Sequence, residues 1–301
     1  MKKIAVLMST YNGEKYIKEQ IDSILNQEGC EVELIIRDDG STDKTREIID
    51  KYTHLDNVSL LQEKNNLRPA KSFLRLLEVV PKYDYYAFAD QDDIWDKDKL
   101  ISGINCIMYK EKPALYCCNA RVVDQDLNSK GYNVYKHEKY VNFESVVING
   151  NFMGCTMVFN NELREKVLMA KKSSYYLMHD YFMSIFCAMI EGEIIYDCTP
   201  HMDYRIHNNN SVGISTNLID KIRKKVKAIF LQKEPRISKQ CKSMLEITEL
   251  GTEKNRAFIR LVSKYNDNFK MKLKLMGNKD VRYEKIFRWM EVNINILKGT
   301  L

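Results

Sequence analysis

Between Lys3 and Ala89 the chain alternates short apolar runs with stretches whose apolar residues recur at helical spacing. Lys3–Met8 forms the first run, and Tyr16, Ile17, Gln20, Ile21, Ile24 and Leu25 then follow a helical period. Val32–Arg37 is a second run. Ser41-Thr42-Asp43 next supplies N-cap oxygens for a helix towards Tyr52. Val58–Leu61 is a third run. Pro69 can open a helix whose face holds Phe73, Leu74 and Leu77, before Asp84–Ala89 makes the fourth. Such a βαβαβαβ order predicts an α/β fold with a mostly parallel central sheet and flanking helices. In open sheets of this kind ligands bind outside the carboxyl ends of the strands. Two carboxylate clusters fall there: Asp38-Asp39 after the second run, and Asp90-Gln91-Asp92-Asp93 after the fourth.

Beyond residue 100 the pattern is less regular. Leu115–Cys118 and Thr156–Phe159 read as strands and Tyr181–Ile190 as a helix. The 301 residues are 45% hydrophobic and 29% charged with only 12 Gly and 5 Pro, which excludes collagen-like and disordered classes. Ile4–Met8 is too short for a signal-peptide core and runs into polar residues, so a secreted chain is not expected. The eight cysteines form no C-x-x-C pair and most neighbour apolar residues. Buried free thiols in a reducing cytoplasm follow from that pattern, and a structural zinc does not.

Several common site signatures are missing. There is no G-x-G-x-x-G after the first strand, no G-x-x-x-x-G-K-[ST], no H-E-x-x-H and no G-x-S-x-G. The acidic clusters remain. Carboxylates two apart on a turn leaving a buried strand can hold Mg²⁺ or Mn²⁺, whose coordination water and substrate phosphate complete. The competing reading makes Asp92 or Asp93 an N-cap for a helix beginning near Trp95. At the other cluster, a carboxylate beside the aromatic Tyr11 can accept a pyrimidine imide N–H while the ring packs on the base. Two ordinary turns would use the same residue types.

Thr10-Tyr11-Asn12-Gly13-Glu14-Lys15-Tyr16 continuing to Gln27, Asp38-Asp39-Gly40-Ser41-Thr42-Asp43, and Asp90-Gln91-Asp92-Asp93-Ile94-Trp95 resemble, in that order, family 2 glycosyltransferases of the GT-A fold. The resemblance spans roughly residues 3–213 and implies a Rossmann-like nucleotide-binding half. It also implies an inverting enzyme with a nucleotide-sugar donor and a divalent cation, Mg²⁺ or Mn²⁺. By motif position Thr10, Tyr11, Asn12, Asp38, Asp39 and Asn66 belong to the nucleotide, Asp90 meets its ribose or sugar side, and Asp92 ligates the metal. Relatives often carry Asn-x-Gly after the third strand. Here Asn66-Leu67-Arg68 has arginine for the glycine, which leaves that loop's sugar and ribose contacts open.

Residues 151–156, His179-Asp180, and Tyr204-Arg205-Ile206-His207 with Asn210 and Gly213 are similar to bacterial rhamnosyltransferases of the family. That similarity implies Asp180 as the catalytic base at the start of a helix, with an N-cap as its alternative role. His179, able to orient Asp180, and Trp95 are placed on the acceptor side. Arg205 is placed on a loop over the diphosphate, with His207 reaching the metal. dTDP-rhamnose is the first donor implied and a UDP-hexose the second, with a glycan or lipid-linked acceptor in cell-surface polysaccharide synthesis.

The expected division is a catalytic domain at 1–213 and a basic amphipathic helical region at 214–301. The latter holds 21 Lys+Arg against 9 Asp+Glu, the rest of the chain 26 against 32. Leu218, Ile222, Val226, Ile229 and Phe230 form an apolar stripe among lysines, suited to an anionic membrane surface on the cytoplasmic side. An oligomer interface is the other use of such a face. A nucleic-acid-binding protein would explain the basic region but not the acidic clusters, and a nucleotidyltransferase would also use paired carboxylates and metals but would release pyrophosphate from a triphosphate; no nucleic-acid partner is expected.

Overall fold

The computed structural model describes residues 2–63, 65–150, 152–170, 173–207, 234–247 and 249–301. Four parallel strands form its first half: β1 (Lys3–Thr10), β2 (Glu31–Asp38), β3 (Val58–Leu60) and β4 (Tyr85–Ala89). They lie in the order β3-β2-β1-β4. Between them run α1 (Ile17–Leu25), α2 (Thr45–Asp50) and α3 (Arg68–Val79). The predicted alternation is therefore present, with strand ends shifted by one or two residues. After β4 come β5 (Ile94–Trp95), α4 (Lys99–Ile107), β6 (Ala114–Val123), β7 (Ser129–Asn133) and α5 (Phe143–Asn149). Then follow β8 (Met157–Asn160), α6 (Asn161–Met169), α7 (His179–Met189) and β9 (Glu193–Arg205). The sheet continues past β4 as β8-β6-β9-β5, with β7 on β6. β8 is antiparallel to both β4 and β6, whereas β6 and β9 are parallel.

Alternate residues of β1 enter two separate cores because helices cover both faces of the sheet. Ile4, Val6 and Met8 pack with Ile17, Ile21 and Ile24 of α1 and with Leu100 and Ile104 of α4. Ala5 and Leu7 face Phe73 and Leu77 of α3, and this second core extends through Phe182, Ile185 and Phe186 of α7.

That second core also takes in the C-terminal helices α8 (Arg236–Ile247), α9 (Glu253–Lys264), α10 (Phe269–Met276) and α11 (Ile286–Lys298). Met244, Phe258, Ile259, Val262, Val292 and Ile296 are all buried in it. Polar bonds add register: Asn255 Nδ2 donates to the Met189 carbonyl at 3.2 Å, and Arg288 Nη2 to the Ile148 carbonyl at 3.1 Å. The C-terminal helices are a layer on the α5–α7 side of the sheet. The stripe from Leu218 to Phe230, with Asn151, Asn210 and Gly213, lies outside the described residues. All eight cysteines are free, and six are buried.

Two glycines set the approach of the 150–156 segment to α7. Gly150 ends α5 at φ +46°, where a Cβ would lie 2.2 Å from the Tyr181 ring. A Cβ on Gly154 would lie 2.3 Å from His179 Nε2. Only glycine permits both contacts. The result brings the Gly154 N–H onto the Asp180 carboxylate at 3.1 Å.

Candidate active site

At the carboxyl ends of β1, β2 and β4 lies a cavity of about 420 Å³. Thr10, Tyr11, Asp39, Asn66, Asp90, Asp92, His179 and Asp180 all line it, so residues from 10 to 180 meet in one place. Parallel strands with a common direction end on the same edge, which is why motifs far apart in sequence converge there.

Asn12, Asp38, Trp95, Arg205 and His207 are not among the lining residues. Asn12, at φ 49°, receives the Thr42 N–H at 2.8 Å and ties the β1 turn to the β2 turn. Asp38 is buried and accepts from Ser41, with Arg46 Nη1 at 3.7 Å. Trp95 corrects the acceptor-side expectation. β5 pairs with β9, which turns the indole into the core, and Lys99 Nζ lies 3.5 Å over its ring. The helix expected near Trp95 begins instead at Lys99, so neither Asp92 nor Asp93 caps it.

Arg205 is also a correction. It ends β9 rather than riding a loop, and it is buried. Its guanidinium donates to the Asp92 carbonyl and the Gln125 carbonyl, each at 2.9 Å, and pairs with Glu19. The same side chain stacks over Tyr16. Arg205 thus clamps the acidic turn from behind. Two residues on, His207 Nε2 meets Asp92 Oδ2 at 2.7 Å.

Gln91, quoted in the acidic motif without a role, joins the first and fourth strand ends. Its Oε1 accepts from Thr10 Oγ1 at 2.5 Å and the Tyr11 N–H at 2.8 Å, and its Nε2 donates to the Tyr11 carbonyl at 3.1 Å. A Cβ on Gly13 would strike that amide at 2.5 Å. Tyr11 is left half-exposed at the mouth. Tyr204, from β9, completes the wall. A glutamine between aspartates was the available signal for the first; the long β9, absent from the sequence reading, hid the second.

Asp39 is heavily committed. Its oxygens accept the Leu67 N–H at 2.7 Å and the Arg68 N–H at 2.8 Å, and they pair with Arg37, whose Nη2 donates to the Asn65 carbonyl at 2.6 Å. The carboxylate therefore shapes the loop entering α3.

Carboxylates dominate the electrostatics. Burial, then Asp92 and Asp180, push the Asp90 carboxyl well above its ordinary range. Burial raises Asp180 to about 6, against the opposing pull of the Tyr181 and Gly154 N–H groups. His179 is sandwiched on Phe73 at 3.9 Å between centroids, with Phe88 edge-on at 4.9 Å. Burial pushes it down to about 3, so it is neutral at physiological pH. Asp180 is held by backbone N–H groups, and neither ring nitrogen of His179 has a partner among the described residues. The orienting role expected of His179 is thus taken by Gly154.

Clustered carboxylates would repel a diphosphate unless a cation stood between them. The donor set suits a hard cation: Asp92 and Asp90 face the cavity, with an imidazole nitrogen at Asp92. Donor atoms of Asp90, Asp93 and Cys155 lie within 4.8 Å of one another. Cys155 is less apt, because burial and Asp93 keep its thiol protonated. Asp93 Oδ2 is buried and has no hydrogen-bond partner among the described residues.

The Glycosyl transferase family 2 model matches residues 5–168. The dTDP-rhamnosyl transferase RfbG of Shigella flexneri is 30% identical over 227 residues, spanning 72% of this chain and 77% of RfbG. Among solved structures, TarS of Staphylococcus aureus in complex with UDP-GlcNAc superposes with a TM-score of 0.59 at 17% identity, covering 99% of this chain and 82% of that one. The mannosyltransferase PcManGT of Pyrobaculum calidifontis, in complex with GDP-Man and Mn²⁺, gives 0.57 at 14% identity over 96% and 72%. These two likenesses establish the GT-A fold. With more than half of its length matched by the family model and nearly three quarters aligned to a transferase, the chain belongs to glycosyl transferase family 2 and is a glycosyltransferase.

Proposed function

We propose that the protein is an inverting, metal-dependent transferase that moves L-rhamnose from dTDP-rhamnose to a glycan or lipid-linked acceptor of a bacterial surface polysaccharide. The observation that carries this reading is the carboxylate of Asp180, raised to about 6, in one cavity with Asp92, whose carboxylate His207 meets from outside the lining. In this mechanism Asp180 takes the proton of the acceptor hydroxyl. The oxygen forms a bond to the anomeric carbon while the bond from that carbon to the diphosphate breaks on the opposite face, inverting the centre. Thr10, Tyr11 and Asn66 hold the nucleoside, and Asp92 and His207 would hold Mg²⁺ or Mn²⁺. Such a cation, when bound, offsets charge on the departing diphosphate. The likeness to RfbG supports the rhamnosyl donor. A UDP-hexose is the second reading, favoured by the fold shared with the UDP-GlcNAc complex of TarS.

A thermal-shift panel of UDP, dTDP, GDP and CMP, each with and without Mg²⁺ or Mn²⁺, tests both. A ligand at 100 times its dissociation constant stabilises by about 2.7 kcal/mol. Cation-dependent stabilisation by dTDP is expected. UDP alone would favour the hexosyl reading, and no response to any nucleotide would remove the donor site.

The C-terminal layer is also proposed to seat the enzyme on an anionic bilayer, at the cytoplasmic face where lipid-linked acceptors are met. Among the described residues no helix is long and apolar enough to cross a membrane. However, α10 and α11, joined by Lys272 Nζ on the Leu297 carbonyl at 2.8 Å, leave Phe269, Leu273, Ile286, Trp289, Met290 and Leu297 exposed. Residues 269–298 hold eight Lys and Arg against three Asp and Glu, so two copies meeting here would bring like charges together. Each basic residue near an anionic leaflet contributes about 1 kcal/mol. Sedimentation with phosphatidylglycerol vesicles is expected to pellet the protein in a salt-sensitive way, and Ile286→Glu/Trp289→Glu to leave it in the supernatant. Equal partitioning of both proteins would assign the face to another partner, a second copy included.

A further inference from the structure

Arg68 occupies a backbone conformation that its side chain makes costly. Its φ is 63°, the left-handed region, and Pro69 follows it. A non-glycine residue is strained there, and a residue before proline prefers extended backbone. The turn itself explains the conformation: the Leu67 and Arg68 N–H groups converge on the two oxygens of Asp39 and open α3. It does not explain the arginine, since glycine would make the same two bonds without strain. Backbone strain that survives at a cavity wall points to a task for the side chain.

The surroundings of the guanidinium indicate the task. Arg37, Arg75, Arg121 and Arg205 each have a carboxylate partner. The Arg68 side chain has no hydrogen-bond or ion-pair partner among the described residues, and it is exposed on the cavity wall that Asp39 and Asn66 also form. Asp39 pairs instead with Arg37 and accepts the Leu67 and Arg68 N–H groups. Among the described lining residues, with His179 neutral, Arg68 is the one cation in a cavity of four carboxylates. A planar fork of N–H donors suits the carbonyl oxygens and ring face of a nucleobase. Resting on the donor-site reading above, we infer that Arg68 contacts the base of the donor nucleotide and sets which base is accepted. Asp39, on the same cavity wall, positions the loop that carries Arg68.

Isothermal titration of wild type, Arg68→Gly and Arg68→Lys with UDP, dTDP and GDP, all with Mg²⁺, tests the inference. Magnesium pyrophosphate serves as the base-free control. Arg68→Gly is expected to lose about ten-fold or more in affinity for the preferred nucleotide, the scale of one hydrogen bond from a charged group. Its discrimination among the three should collapse, pyrophosphate binding should persist, and its melting temperature should match or exceed wild type. Arg68→Lys, without the fork, should recover little. Unchanged nucleotide preference in Arg68→Gly overturns the inference, as does an equal loss for pyrophosphate, which would mark an anion contact. Wild type binding none of the nucleotides would overturn the donor site itself, a result separate from either.

Discussion

Asp180→Asn is expected to lower glycosyl transfer by about 10²–10⁴-fold, the usual contribution of a positioned general base, with nucleotide affinity within about two-fold of wild type. The amide oxygen can still accept the Gly154 N–H that holds the side chain in place. A pH profile adds a readout that a structural role would not move. The acid is raised to about 6, and only its carboxylate can take a proton, so the wild-type rate should climb with pH through that value and then level. The variant should lack this limb. Stability moves the other way. A group whose folded pKa is raised favours the fold while protonated, and that contribution is lost as pH rises through about 6. Asp180→Asn should therefore melt no lower than wild type at pH 7.5, which separates lost chemistry from lost folding. Wild-type turnover by the variant would eliminate Asp180 as the base.

Asp92→Ala should reduce cation-dependent nucleotide affinity by at least about 10–100-fold, the range seen when even an outer partner of a ligating group is removed. Nucleotide binding without cation should change little. His207→Ala should show the same direction with a smaller effect, because its nitrogen meets Asp92 at 2.7 Å. A titration of each variant with Mn²⁺ at fixed dTDP, followed by melting temperature, reads both. The capping alternative has little footing, since the next helix starts only at Lys99. If Asp92→Ala kept the full cation response, the metal site would have to be built around Asp90 alone.

The parts of the site legible in sequence are those that sit within a few residues of a strand end. Thr10, Tyr11, Asp39, Asp90 and Asp92 each follow an apolar run, so naming the strand placed the side chain near the cavity edge. Asp180 was legible for a related reason, as the acid at the start of an apolar helix. Trp95, Arg205 and Asp38 were not, because each depends on what covers it. An aromatic residue after an acidic motif looks available until β5 pairs with β9. An arginine beside a histidine looks mobile until Glu19, Asp92 and Gln125 gather around its fork from three remote segments. Periodicity tells which residues share a face, not which face is sealed.

The sequence by itself determined the α/β alternation, the parallel first half, the acidic strand ends and the family to which they belong. Those are local properties, set by hydrophobic period and turn chemistry within tens of residues. Tertiary structure alone decided that Gly154 rather than His179 holds Asp180, and that Asp39 holds the loop bearing Arg68. It also decided that the C-terminal helices share a core with α7. Each of these is a contact between segments distant along the chain. Its energy depends on burial and on which partner satisfies each polar group first, and neither is written in the local pattern.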